Sequence, residues 1–177
     1  NGHFMDLQSF TLSGNIRDSE TREPVSANMV KKLIGEFFAE RTEDIEPVED
    51  AIDTLAALSE QAQILVLSNV PLDQQDARRR ALVKNRMDYP LVANIGRKGG
   101  AMAYLAERHE APIFFLDDIP HNISSVARAA GSVTRIHFIA DHRLRNLLGQ
   151  ADDAHARIDD WPGVQQFIET RLREDGF

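Results

Sequence analysis

The chain has 177 residues and a mass of 19.9 kDa, with 20 Lys and Arg against 28 Asp and Glu, for a formal net charge of −8. That is one domain of ordinary size, and 42% apolar with 27% charged residues is a globular composition that excludes disordered and fibrous architectures. A pI near 5.2 opposes association with nucleic acid, and no apolar run approaches the ~20 residues of a membrane-spanning helix.

The first twenty-five residues mix apolar and polar side chains, and the charged stretch 15–24 reads as a solvated loop. Ser26 is a good helix N-cap. Met29, Val30, Leu33, Ile34, Phe37 and Phe38 then recur at helical spacing, which predicts an amphipathic helix to about Glu40. Pro47 suits the first turn of a second helix, with Val48, Ile52, Leu55, Ala56 and Leu58 as its apolar face. Gln63–Leu67 is a short continuous apolar run, the pattern of a strand buried on both faces of a parallel sheet, and it stops at Ser68-Asn69. A charged helix over 73–86 follows, with Arg78–Arg80 as its solvated face.

Leu91–Ala93 is a second strand of this type and Gly99–His109 a helix. Pro112–Leu116 is a third strand, ending at Asp117-Asp118. A helix over Ile123–Ala130 stops at Gly131, a natural C-cap. Val133–Ile139 is a fourth strand. A short helix (Arg143–Leu148), a weak strand (Ala156–Ile158) and an amphipathic helix (Trp161–Arg173) close the chain. Strands alternating with helices predict an α/β fold with a parallel sheet, and ligands of such sheets sit at the carboxyl ends of the strands. The absence of cysteine suits a reducing, cytoplasmic setting, and no stretch has the basic-then-apolar layout of a signal peptide.

Those strand ends carry Ser68-Asn69, Asn94 and Asp117-Asp118, and Lys98 begins a helix in the loop after the second strand. Each has a plain alternative. Ser68-Asn69 suits a turn, an exposed Lys98 would be solvated, and Asp118 could cap the helix after Pro120. Two adjacent carboxylates also repel one another, and an oxygen-preferring cation such as Mg²⁺ relieves that repulsion. A hydroxyl, an ammonium and an acidic pair on one sheet edge are together what phosphoryl transfer requires. His137, Asp141 and His142 are scattered too widely for paired metal-ligand spacing. Lys98-Gly99-Gly100 lacks the order of a Walker-type phosphate loop.

Receiver domains of response regulators use a similar set, but with the acidic pair first and the lysine last. The order here, Ser, Lys, Asp-Asp, resembles instead the haloacid dehalogenase (HAD) superfamily. Ile64–Asn69 resembles its second motif, Lys98-Gly99-Gly100-Ala101 its third, and Phe114–Asn122 its fourth in the Asp-Asp-x-x-x-Asn form. The resemblance covers about residues 45–170. It implies a Rossmann-like, three-layer parallel sheet over residues 45–177 and a small helical cap over residues 1–44.

It also implies a Mg²⁺-dependent phosphohydrolase acting on a small phosphorylated metabolite through an aspartyl-phosphate. Ser68 and Asn69 would bind the phosphoryl group, and Lys98 would offset its charge. Asp118 would be the metal ligand with Asp117 beside it, and Asn122 would steady the loop or the lysine. The first motif, an apolar strand ending in two carboxylates one residue apart, has no counterpart. Met5-Asp6-Leu7-Gln8 is its nearest echo, with Gln8 where the second carboxylate belongs. With Asn1-Gly2-His3 opening the chain, a central strand bearing the nucleophile is expected upstream. A non-catalytic binding or regulatory module on the same fold is the alternative.

Overall fold

The computed structural model describes residues 2–177. The fold opens on an antiparallel hairpin of β1 (His3–Met5) and β2 (Ile16–Asp18), with Met5 opposite Ile16. Residues 15–24, where the sequence suggests a solvated loop, thus supply the second strand of the hairpin. The intervening turn is organised by Asn15, which is buried and donates from Nδ2 to the Ser9 and Thr11 carbonyls while its Oδ1 accepts from the Gln8 amide. Helix α1 (Ala27–Arg41) starts where the Ser26 hydroxyl accepts from the Met29 amide. Of its apolar face only Val30 is buried, and Phe37 is 50% exposed. A 3₁₀ turn, Thr42–Asp44, leads from α1 toward the rest of the chain.

Helix α2 (Ala51–Leu58) begins four residues beyond Pro47 and not at it. Asp50 takes a left-handed φ of 62° there, which places the bend between the proline and the helix. Two parallel groups of strands follow. In the first, β3 (Val66–Ser68) pairs with β4 (Leu91–Ala93), Ser68 in register with Ala93. In the second, β5 (Phe114–Asp117), β6 (Thr134–Phe138) and β7 (Ala156–Ile158) pair in that order, with Asp117 in register with His137. The connections are α3 (Gln75–Lys84), α4 (Gly99–Ala106) and α5 (Pro120–Ala129), and α6 (Trp161–Glu174) ends the chain. The architecture is therefore mixed α/β with parallel strands, as the alternating pattern implies.

Strand β5 separates two apolar clusters. Phe115 packs with Met102 of α4, Ile123 and Val126 of α5, and Val133, and Leu67 of β3 leans on the same group. Phe114 and Leu116 face the other way, toward Leu58 of α2, Ile136, and Val164, Ile168 and Leu172 of α6, with Ile64 beside them. Alternation along a strand produces this division. Ile123, Val126, Val133, Ile136 and Val164 have no exposed surface, and each contributes roughly 1.5–3 kcal/mol by burial. Of the run Gln63–Leu67, expected to be buried on both faces, Gln63 is exposed and residues 64–67 are half-buried. Its physical reason is visible in the pairing: β3 bonds to β4 on one side only, just as β5 bonds to β6 on one side only.

Two further expectations are corrected. Residues 143–147 form turns in place of a helix, closed by the Leu144 amide on the Asp141 carbonyl and the Leu147 amide on the Leu144 carbonyl, while Arg157 donates to the Leu148 and Arg145 carbonyls. Helix α5 starts at Pro120, earlier than Ile123, and ends at Ala129 with Ala130 as its C-cap, and Gly131 has no positive φ and so supplies no left-handed cap.

Candidate functional site

The carboxyl end of β5 delivers Asp117 and Asp118 onto the start of α5, and the loop after β4 delivers Lys98 onto the start of α4. The two starts are pressed together. The Gly99 amide donates to Ser125 Oγ at 3.0 Å, and that hydroxyl donates to the Asn122 carbonyl at 2.9 Å. A Cβ on Gly99 would lie 2.3 Å from the Ser125 carbonyl oxygen, so only glycine allows the approach. Nothing comparable surrounds Gly100. The glycine after the lysine therefore has a packing role that sets where Lys98 begins.

From that position Lys98 Nζ reaches Asp117 Oδ2 at 2.6 Å, an ion pair whose side chains are 14% and 3% exposed. Asp117 Oδ1 accepts from the Ile119 amide at 2.9 Å and from Asn122 Nδ2 at 3.0 Å. Three donors converge on this one buried carboxylate and fix it in place. Lys98 is thus not a solvated lysine, and Asp118 does not cap α5, whose N-cap is Ile119 with no side-chain cap bond.

Asp118 differs in every respect. It is exposed, and its carboxyl is nevertheless raised above the ordinary aspartate range, first by loss of solvent among the surrounding protein atoms and second by the Asp117 charge. Its backbone is fixed by the neighbouring strand: His137 Nε2 lies 3.1 Å from the Asp118 carbonyl, and His137 Nδ1 accepts from the Ala151 amide at 3.1 Å.

Asn122 is 1% exposed, and its Oδ1 is buried without a hydrogen-bond partner among the described residues. Its amide orientation follows from Asp117, an acceptor that requires the NH₂ group on its side. Asn122 thus touches the carboxylate that holds the lysine. Ser68 through its carbonyl and Asn69 through its side-chain amide are tied to the 94–96 loop. The Asn94 amide donates to Ser68 O at 2.8 Å, and Asn69 Nδ2 donates to Gly96 O at 2.9 Å, two residues before Lys98. Asn94 Nδ2 closes the loop onto Asn69 Oδ1 and Gly96 O. Asp117 therefore bonds both Lys98 and Asn122, Asp118 follows it in the chain, and Ser68-Asn69 is tied to the loop that leads to Lys98.

A hard cation fits this donor set in part. Among the described residues no group of three or more His, Cys, Asp and Glu could enclose a metal. Mg²⁺ needs less, since it keeps several waters and is commonly held by one or two carboxylates plus substrate phosphate. Asp117 is committed to Lys98, which leaves Asp118, whose ionised form the site disfavours and a cation would restore. Elsewhere the candidates resolve plainly. Asp6 pairs with Arg17 at 3.0 Å in the N-terminal hairpin, and Asp141 pairs with Arg143, which lowers its carboxyl to about 2. Concavities of about 450 and 340 Å³ lie on α3 and against residues 39–44, and none of Ser68, Lys98, Asp117 or Asp118 lines them.

Sequence reasoning passed over Ser125, one helical turn after Asn122 and on its face, and the individual meaning of Gly99. His137 was set aside as a metal ligand, in keeping with both its ring nitrogens being bonded within the fold. No helix among the described residues is long and apolar enough to cross a membrane. No protein-family model matches the chain, and a search of curated proteins returns no match.

Proposed function

We propose that this protein is a Mg²⁺-dependent phosphohydrolase of small phosphate monoesters, built as a Rossmann-like core of the haloacid dehalogenase type over residues 45–177, with residues 1–44 as its cap. The observation that carries the reading is the buried Lys98–Asp117 pair beside the exposed Asp118, at the ends of parallel strands. In the proposed mechanism Lys98, held by Asp117, faces the dianionic phosphate, and Ser68 and Asn69 offer hydrogen-bond donors to its oxygens. Asp118 holds the Mg²⁺, which when bound supplies positive charge to the phosphoryl oxygens. Asn122 keeps Asp117, and through it the ammonium, in place.

The nucleophile is assigned to a carboxylate on a strand that the 177 residues do not include. The unpaired edges of β3 and β5 support this. Both strands end beside the 96–98 loop, Leu67 of β3 and Phe115 of β5 pack in the same cluster, and each strand leaves one row of backbone donors and acceptors open. A second reading, a module that binds Mg²⁺ and phosphate without turnover, is favoured by the absence of a carboxylate between those edges among the described residues. Activity of the purified protein on a panel of phosphate esters, with and without Mg²⁺, separates the two. Saturable, Mg²⁺-dependent turnover supports the enzyme. Binding of Mg²⁺ and phosphate with no turnover supports the module, and neither activity nor binding rejects both.

A further inference from the structure

We propose that His137 is a positioning residue that aims Asp118 by holding its backbone carbonyl, an inference that rests on Asp118 as the Mg²⁺ ligand. His137 is in register with Asp117 on the neighbouring strand β6, so its ring reaches one residue further, to the carbonyl of Asp118. It has no exposed surface. The Ala151 amide donates to Nδ1 at 3.1 Å, so that nitrogen carries no proton. The ring is therefore the neutral tautomer with its proton on Nε2, and that proton is donated to Asp118 O at 3.1 Å.

The consequence is a carbonyl fixed in the same residue whose carboxylate is exposed. Asp117 is anchored through its own side chain by Lys98, Ile119 and Asn122. Among the described residues no other side chain bonds the Asp118 carboxylate, and His137 anchors its backbone carbonyl. The same ring joins the segment before β7 to the acidic loop through Ala151, a residue buried in the cluster around Phe115. A group that orients a metal-binding carboxylate changes metal affinity by roughly 10–100-fold when it is lost.

Two substitutions divide the ring's functions. In His137→Gln the side-chain amide nitrogen falls near the position of Nε2 and can donate to Asp118. In His137→Asn the side-chain oxygen falls near Nδ1, keeps the Ala151 bond and cannot reach Asp118. Two readouts apply to the full protein: hydrogen exchange at the Ile119 amide, which reports the acidic loop without metal, and Mg²⁺ affinity by calorimetry. The expected result is exchange faster by tenfold or more and Mg²⁺ binding weaker by tenfold or more in His137→Asn, with both within about threefold of the parent in His137→Gln. Equal effects of the two substitutions on exchange, or a larger effect of Gln, would overturn the positioning role and mark His137 as a packing residue. If exchange follows the expected order while neither the parent nor any variant binds Mg²⁺, the positioning of Asp118 stands and the metal reading is the part that fails.

Discussion

Replacing Lys98 by Met tests whether the lysine is built into the protein or merely stands on its surface. The substitution keeps most of the aliphatic stem and removes the ammonium from a pair 2.6 Å apart, in which Asp117 is 3% exposed. Deleting one partner of a buried pair costs about 3–5 kcal/mol, because the other charge stays desolvated. Here Asp117 keeps the Ile119 amide and Asn122 Nδ2 as donors, so the lower end, about 3 kcal/mol, applies. For a chain of this length each kcal/mol shifts Tm by about 2–4 °C, so the expected drop is about 6–12 °C. The double variant Lys98→Met/Asp117→Asn removes both charges and should cost at least ~1 kcal/mol less than the sum of the two single changes. Urea denaturation followed by circular dichroism and by Trp161 fluorescence gives all four stabilities. A Lys98→Met protein within 0.5 kcal/mol of the parent, or strict additivity in the double variant, would refute the reasoning.

The two adjacent glycines should behave oppositely. Gly99→Ala forces a methyl to within 2.3 Å of the Ser125 carbonyl oxygen and should destabilise by about 3 kcal/mol or more, whereas Gly100→Ala enters open space in α4 and should stabilise by about 0.5–1 kcal/mol; equal effects in thermal melts contradict the packing described. Asp118→Asn should stabilise the metal-free protein at neutral pH, because the folded state raises this carboxyl above its unfolded value. The sign follows from linkage: the penalty is absent below the unfolded value of 3.8, grows as pH rises through the folded value and is constant above it. Melts across pH 3–8 check this, and a less stable Asp118→Asn at pH 7 would contradict it.

Strands β4 and β7 lie where the apolar spacing places them, since a short run of Leu-Val-Ala or Ala-Arg-Ile between turn-forming segments leaves little room for another register. The ends of β3 and α2 were less legible. Val66–Ser68 takes its limits from where the Leu91–Ala93 backbone runs alongside, and Asp50 rather than Pro47 makes the turn into α2. The N-terminal hairpin was hidden because its strands have three residues each and its loop is ordered by one asparagine side chain. Within the proposed site, residue types and order single out Lys98, Asp117 and Asp118, the resemblance adds Asn122, and the structure bonds Asp117 to both Lys98 and Asn122. Their division of labour was not legible, because it depends on α4 and α5 meeting at Gly99 and Ser125, a contact between residues 26 positions apart. The partnership of His137 with Asp118 likewise depends on strand register.

Calorimetric titration of the full protein with Mg²⁺, in the presence and absence of inorganic phosphate, addresses the proposed site most directly. A site with one free carboxylate needs oxygens from the phosphate to complete a hard cation's shell. The expected result is Mg²⁺ binding that tightens by tenfold or more when phosphate is present, and that is lost in Asp118→Asn under both conditions. Mg²⁺ binding that ignores phosphate, or that survives Asp118→Asn unchanged, would contradict the assignment of this strand edge as a phosphoryl-transfer site.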